Sequence, residues 1–182
     1  MYGKHPGEFR GCWTEPEVLR VSIAGRFGYE WISRAVQVSN GPNPGRTTPR
    51  VAVADDHAGV LRELCALLAP EFEVLTATTG EELLCTVERQ RPDCVVTDVR
   101  MPGMGGLEAA LQIVRRGLCD AVVLISVARD PTADLALRSG VRGFVLKVDA
   151  GEELIPALRA ALAGEYYESR SARAPGFTPS FF

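Results

Sequence analysis

The sequence predicts an open, doubly wound α/β domain in which five parallel strands are covered on both faces by helices. Three observations predict it. Strand-like and helix-like periods alternate five times between Val51 and Leu162. Most of the strand-like runs are apolar on both faces, the pattern of strands buried on both sides. Each is followed by a helical stretch able to cross the sheet, and right-handed crossovers place such helices on both sides.

The elements follow in order. Val51-Ala52-Val53-Ala54 is a buried strand ending at Asp55-Asp56. Val60, Leu61, Leu64, Leu67 and Leu68 recur at helical spacing up to Pro70, which cannot continue a helix. Phe72 to Thr76 is strand-like, and Gly80 to Arg91 is helical with Leu83, Leu84 and Val87 on one face. Cys94-Val95-Val96-Thr97 forms the third strand and ends at Asp98, before the turn Met101-Pro102-Gly103. Leu107 to Arg116 is helical, Val122 to Ser126 a strand, and a short helix runs through Leu135 and Leu137 to Gly140. Phe144-Val145-Leu146 is the fifth strand, and Leu154 to Leu162 the last helix.

Composition excludes several classes. At 182 residues the chain holds one domain of ordinary size and about 50 residues besides. It is 46% hydrophobic and 24% charged, enough apolar surface to offset the entropy of ordering. It has no uninterrupted apolar run of about 18 residues, so no membrane-spanning helix is expected. Lys4, Glu8 and Arg10 interrupt the start where a secretory signal would be apolar, and a cytoplasmic setting is expected. The five cysteines lack C-x-x-C spacing and suggest neither a disulfide framework nor zinc. Cys65, Cys85, Cys94 and Cys119 read as small core residues.

Charge is uneven. Residues 1–50 hold seven Lys/Arg against four Asp/Glu, and residues 51–182 hold 13 against 19. The change falls beside Gly41-Pro42-Asn43-Pro44-Gly45, which marks a boundary. The chain divides into an extension over residues 1–48, a domain over 49–168 and a tail over 169–182. The extension, with Trp13, Phe27 and Trp31 among its apolar residues, reads as a weakly ordered element or an over-extended gene start. Its net +3 is too thin to argue nucleic-acid binding.

In doubly wound sheets the ligand site lies at the carboxyl ends of the strands. The residues there are Asp55 and Asp56, Asp98, Ser126 and Lys147. Each alone has an ordinary explanation: a helix cap, a turn, a solvated lysine. Together they occupy one edge of one sheet. Three carboxylates converging there repel one another unless a cation sits among them, and a hard divalent ion with oxygen ligands, most naturally Mg²⁺, answers this while leaving room for a phosphate.

Asp55-Asp56-His57, Val96 to Met104, Ile125-Ser126 and Gly143-Phe144-Val145-Leu146-Lys147 resemble the receiver domain of two-component response regulators. The similarity is greatest to the class whose receiver precedes a C-terminal helix-turn-helix DNA-binding domain. It covers about Val51 to Glu168 and implies a flavodoxin-like fold with strand order 2-1-3-4-5. It implies that Asp98 is the phosphoacceptor, taking its phosphoryl group from a sensor histidine kinase. Asp56, Asp98 and the backbone carbonyl of Arg100 would bind Mg²⁺ directly, with Asp55 acting largely through water. Lys147 would pair with the phosphoryl oxygens, Ser126 would donate its hydroxyl to one, and Phe144 would be the aromatic that turns inward when Ser126 moves. Homodimerisation through the receiver helices is implied by the resemblance alone.

Departures from the family pattern carry expectations of their own. Val127 stands where alanine is usual, and its branched side chain narrows access to Asp98. Gly105 replaces an Asp or Asn as cap of the third helix, at a cost of only a few tenths of a kcal/mol. Val148 replaces a frequent proline. Arg100 and Ala128 offer no group to orient an attacking water, so slow self-dephosphorylation is expected. His57 reads as the start of the first helix and neither a metal ligand nor a relay residue.

The expected function is a phosphorylation-dependent signalling switch, not an enzyme with a turnover substrate. It is either a stand-alone receiver or a transcriptional regulator without its output domain. Residues after Glu168 are too few for a helix-turn-helix, so no direct DNA binding is expected of this chain. The alternative is a pseudo-receiver, a phosphorylation-independent interaction module, against which the intact acidic, hydroxyl and lysine positions argue. A phosphatase with an aspartyl-phosphate intermediate would want a general acid where Arg100 stands.

Overall fold

A computed structural model of the chain describes residues 47–129 and 131–173. The expected extension lies almost wholly outside these residues, as does the tail from Ala174 onward. Within them, β1 (Arg50–Ala54), α1 (Ala58–Leu68), β2 (Glu73–Ala77), α2 (Gly80–Gln90), β3 (Cys94–Asp98), α3 (Gly106–Arg115), β4 (Val122–Ser126), α4 (Pro131–Arg138), β5 (Gly143–Leu146), α5 (Ala150–Leu162) and β6 (Tyr167–Glu168) follow one another. Short 3₁₀ turns cover Lys147–Asp149 and Arg170–Ala172. All strands run parallel, in the order β2-β1-β3-β4-β5-β6.

The expectation of five strands is therefore corrected to six. β6 is two residues long and sits outside β5, where Tyr167 N–H donates to the Arg142 carbonyl at 2.9 Å. A strand of that length carries no period, and an edge strand need not be apolar.

The three central strands are made of residues that want to be buried twice over. Every residue of β3 and β4, and all of β1 after Arg50, is buried, with Val51, Val53, Val95, Leu124 and Ile125 fully enclosed. Outer β2 is half-exposed, as its Glu73 and Thr76 require. Helices close both faces, with Leu64 and Leu68 of α1, Leu83 and Val87 of α2, Ile113 of α3 and Leu154 and Leu158 of α5 in the common core.

Local signals set the helix ends. Thr79 caps α2, its hydroxyl accepting from Glu82 N–H at 3.2 Å, while the Glu82 carboxylate accepts from Thr78 N–H at 2.8 Å. Gly105 does stand at the N-cap of α3, without a side-chain bond. Gly106 is needed for a different reason: a Cβ there would run into the Asp98 carbonyl and the Thr97 hydroxyl. The bare backbone lets α3 begin directly against the end of β3.

The cysteines divide. Cys94 and Cys119 are buried, Cys65 is half-buried, and Cys85 is exposed, which corrects its reading as core. Cys85 follows Leu84 but falls off the line that joins Leu83 to Val87 on the inner face of α2. Among the described residues, no helix is long and apolar enough to cross a membrane.

Register places the site. Ala54 pairs with Thr97, so Asp55 emerges level with Asp98. Asp98 pairs with Ile125, which sets Ser126 one step further along; Ser126 pairs with Leu146, which sets Lys147 one step further again. The four residues form a rising line across four strand ends.

Candidate functional site

Asp55 leaves β1 completely buried, an expensive position for a carboxylate unless its oxygens are bonded. Both are. Oδ1 accepts from His57 N–H at 2.9 Å, closing the turn into α1, and Oδ2 accepts from Lys147 Nζ at 2.7 Å. The same ammonium donates to Asp98 Oδ2 at 3.0 Å. Lys147 thus bridges the ends of β1 and β3 from the end of β5. The cation expected among converging carboxylates is, for this pair, a residue of the chain itself.

Asp98 is 7% exposed. Burial pushes its carboxyl above the usual range; the hydrogen bond and charge of Lys147 pull the other way, Asp55 adds to the rise, and a bond from the Arg100 backbone opposes it. Burial alone would lower the Lys147 pKa, but its bonds to Asp55 and Asp98 and their charges hold it above the ordinary lysine value. The Thr97 hydroxyl donates to the Asp98 carbonyl at 3.2 Å, fastening the backbone beneath the carboxylate.

Asp56 is half-buried. His57, largely exposed, brings Nδ1 to 3.0 Å from Asp56 Oδ1 and 3.7 Å from Asp55 Oδ1. His57 is the N-cap of α1 by position, with no capping bond from its ring. Ligand atoms of Asp55, Asp56 and His57 lie within 4.8 Å of one another. Two carboxylates so close, with Asp98 reached through the shared Lys147, form an oxygen-rich set that fits a hard divalent cation.

Ser126 is buried at the end of β4, opposite Leu146. Phe144 is fully buried in β5, and its carbonyl accepts from Ser169 N–H at 3.0 Å. Val127 and Val148, next in sequence to Ser126 and Lys147, are 78% and 81% exposed. Behind Lys147 a cleft of about 250 Å³ opens between α1 and the start of α5, lined by Val60, Leu64 and Leu67 among others.

The structure therefore brings Asp55, Asp98 and Lys147 into direct contact, sets Asp56 beside Asp55, and places Ser126 and Arg100 at adjoining strand ends. Sequence reasoning missed Thr97, Gly106 and Ser169. The first two lie within the motif stretch or just beyond it, but a hydroxyl and a glycine carry no signal until α3 is seen against β3. Ser169 has no signal at all, because its role depends on β6.

Residues 51–159 match the response regulator receiver domain family. The chain is 35% identical over 118 residues to the transcriptional regulatory protein DesR of Bacillus subtilis, covering 63% of this chain and 59% of that protein. It is 35% identical over 125 residues to the response regulator GacA of Pseudomonas aeruginosa, covering 66% and 58%. The chain thus matches less than two thirds of the length of these relatives. Among solved structures, a two-component response regulator of the LuxR family from Aurantimonas sp. SI85-9A1 superposes with a TM-score of 0.63 at 29% identity, over 69% of this chain and 93% of that one.

Proposed function

The chain belongs to the response regulator receiver domain family, and from that premise we propose that it is a phosphorylation-dependent switch that accepts a phosphoryl group on Asp98 from a sensor histidine kinase. The observation that carries this reading is the pair of hydrogen bonds that Lys147 Nζ donates to Asp55 and Asp98 at the carboxyl edge of the sheet. It holds a nucleophilic carboxylate, a cation and a second carboxylate in one small space.

In the transfer, an Asp98 oxygen bonds to phosphorus as the bond from phosphorus to the donor's imidazole nitrogen breaks. Asp98 is held for this by Thr97 below and the Arg100 N–H beside it. Lys147 neutralises charge on the phosphoryl oxygens, the main catalytic requirement in phosphoryl transfer. Ser126 supplies a hydroxyl to one of them. Asp55, Asp56, Asp98 and the Arg100 carbonyl would hold Mg²⁺, which when bound neutralises the charge that the carboxylates and the phosphoryl group bring together. The chain modifies itself and turns over no separate substrate. The names of its relatives support a place in transcriptional control.

Intact mass after incubation with acetyl phosphate and Mg²⁺ tests the reading. A gain of about 80 Da (one phosphoryl group) in the native chain, absent in Asp98→Ala, is expected. No gain in the folded native protein would overturn it in favour of a phosphorylation-independent interaction module.

A further inference from the structure

Past α5 the chain returns to the sheet and is tied down by the side chains of Arg129, Asp149 and Glu153. Tyr167 and Glu168 pair with β5, and the next residue, Ser169, takes over where the backbone ladder ends. Its N–H donates to the Phe144 carbonyl at 3.0 Å, and its fully buried hydroxyl accepts from Leu146 N–H at 3.1 Å. Asp149 accepts from Ser171 N–H at 3.0 Å and from the Ser171 hydroxyl at 2.8 Å. Glu153 accepts from Arg170 N–H at 3.0 Å and from the Tyr167 hydroxyl at 2.9 Å. Finally, the Arg129 guanidinium donates to the Glu168 carboxylate and to the Ala172 carbonyl.

These anchors are not scattered. Arg129 lies three residues after Ser126, Leu146 immediately before Lys147, and Asp149 two residues after it. The segment is fastened to the two loops that carry the site's hydroxyl and its cation. We propose that residues 167–173 are a latch that Asp98 phosphorylation opens, an inference that rests on the phosphoacceptor reading of Asp98.

The phosphoryl group brings about two negative charges to Asp98, where Lys147 already donates to the carboxylate and Ser126 stands at the next strand end. Drawing them inward pulls on the short loop to Arg129 and on the turn holding Asp149. Glu168 is 7% exposed and its carboxylate is paired with the Arg129 guanidinium. A carboxylate buried there without its cation is strongly unfavourable, so losing one ion pair expels the whole segment. A two-residue strand held mainly by side chains is also the part of this sheet with least to lose on opening. Release bares the β5 edge.

Amide hydrogen exchange of the full 182-residue chain, read by mass spectrometry with and without acetyl phosphate and Mg²⁺, tests this. Intact mass of the same samples reports phosphorylation separately. In phosphorylated protein the amides of residues 167–173 should exchange at least about tenfold faster while β1, β3 and β4 stay protected. Arg129→Ala should give the same local loss without any phosphoryl donor, whereas Glu168→Gln, which leaves no buried charge to strand, should keep the segment protected even when Asp98 is phosphorylated. Full phosphorylation of the native chain with the segment still protected would overturn the coupling. Absence of any mass gain would instead overturn the Asp98 reading and the coupling with it. The latch itself stands or falls on Arg129→Ala: unchanged protection of 167–173 in that variant overturns it.

Discussion

Asp98 ends β3 and Lys147 directly follows β5, with β4 between them, yet the ammonium reaches the carboxylate at 3.0 Å and Asp55 at 2.7 Å. The lysine is what makes two neighbouring buried carboxylates tolerable. Lys147→Met is therefore expected to lower stability at pH 7 by roughly 1–3 kcal/mol, as the loss of one partner leaves the others uncompensated. The deficit should shrink toward pH 4, where protonation of Asp98 relieves the repulsion. Urea denaturation at the two pH values checks this, and acetyl-phosphate labelling should slow by at least about tenfold.

Asp98→Asn should stabilise the protein at neutral pH in the absence of metal, by about 1 kcal/mol or a few degrees of Tm. The sign follows from the raised pKa. The folded protein holds that proton more tightly than the unfolded chain. Asp98's share of stability is therefore present below the ordinary carboxylate pKa and is lost as pH rises through its raised native value. The advantage of Asn should vanish below about pH 4. Thermal melts across this range would show it; an Asn variant less stable at pH 7 would contradict it.

Gly106→Ala should be disruptive although alanine favours helices. The added methyl meets the Asp98 carbonyl and the Thr97 hydroxyl, so α3 must back away from β3. A loss of roughly 1–3 kcal/mol is expected, with slower phosphorylation because the backbone under Asp98 shifts. Gly151→Ala, where nothing lies within 4 Å of the added Cβ, serves as the control and should be near neutral or slightly stabilising.

The thiols should sort by environment. Burial pushes Cys119 up to about 12 and raises Cys94 well above the ordinary thiol value. Neither should react with iodoacetamide at pH 8 in the folded protein, whereas exposed Cys85 should. Peptide mapping after labelling in buffer and in urea distinguishes them, and rapid labelling of Cys119 in buffer would contradict the packing described.

Once formed, the aspartyl phosphate should persist for minutes or longer. Arg100 and Ala128 flank Asp98 and Ser126 with no carboxamide or carboxylate to hold a water for attack on phosphorus. The decay of the phosphorylated mass after removal of acetyl phosphate measures this, and loss within seconds would refute it.

The candidate site residues were legible because a parallel sheet turns sequence position into spatial position. An apolar run followed at once by Asp55, Asp98, Ser126 or Lys147 puts each at the same sheet edge, whatever the details of packing. Periodicity likewise found β1 to β5 and the helices between them, since each buries a face that repeats. What it could not find were features that depend on where one backbone meets another. The approach of α3 that requires Gly106, the exposure of Cys85 and the two residues of β6 are all of this kind. So is the choice of Lys147 as the cation between Asp55 and Asp98, which depends on the one-step rise in register from β3 to β5. Sequence by itself determined which strand ends carry charge, because burial is written residue by residue in hydrophobicity. Only the tertiary structure decided which charges touch, because hydrogen bonds depend on distances that no single strand sets.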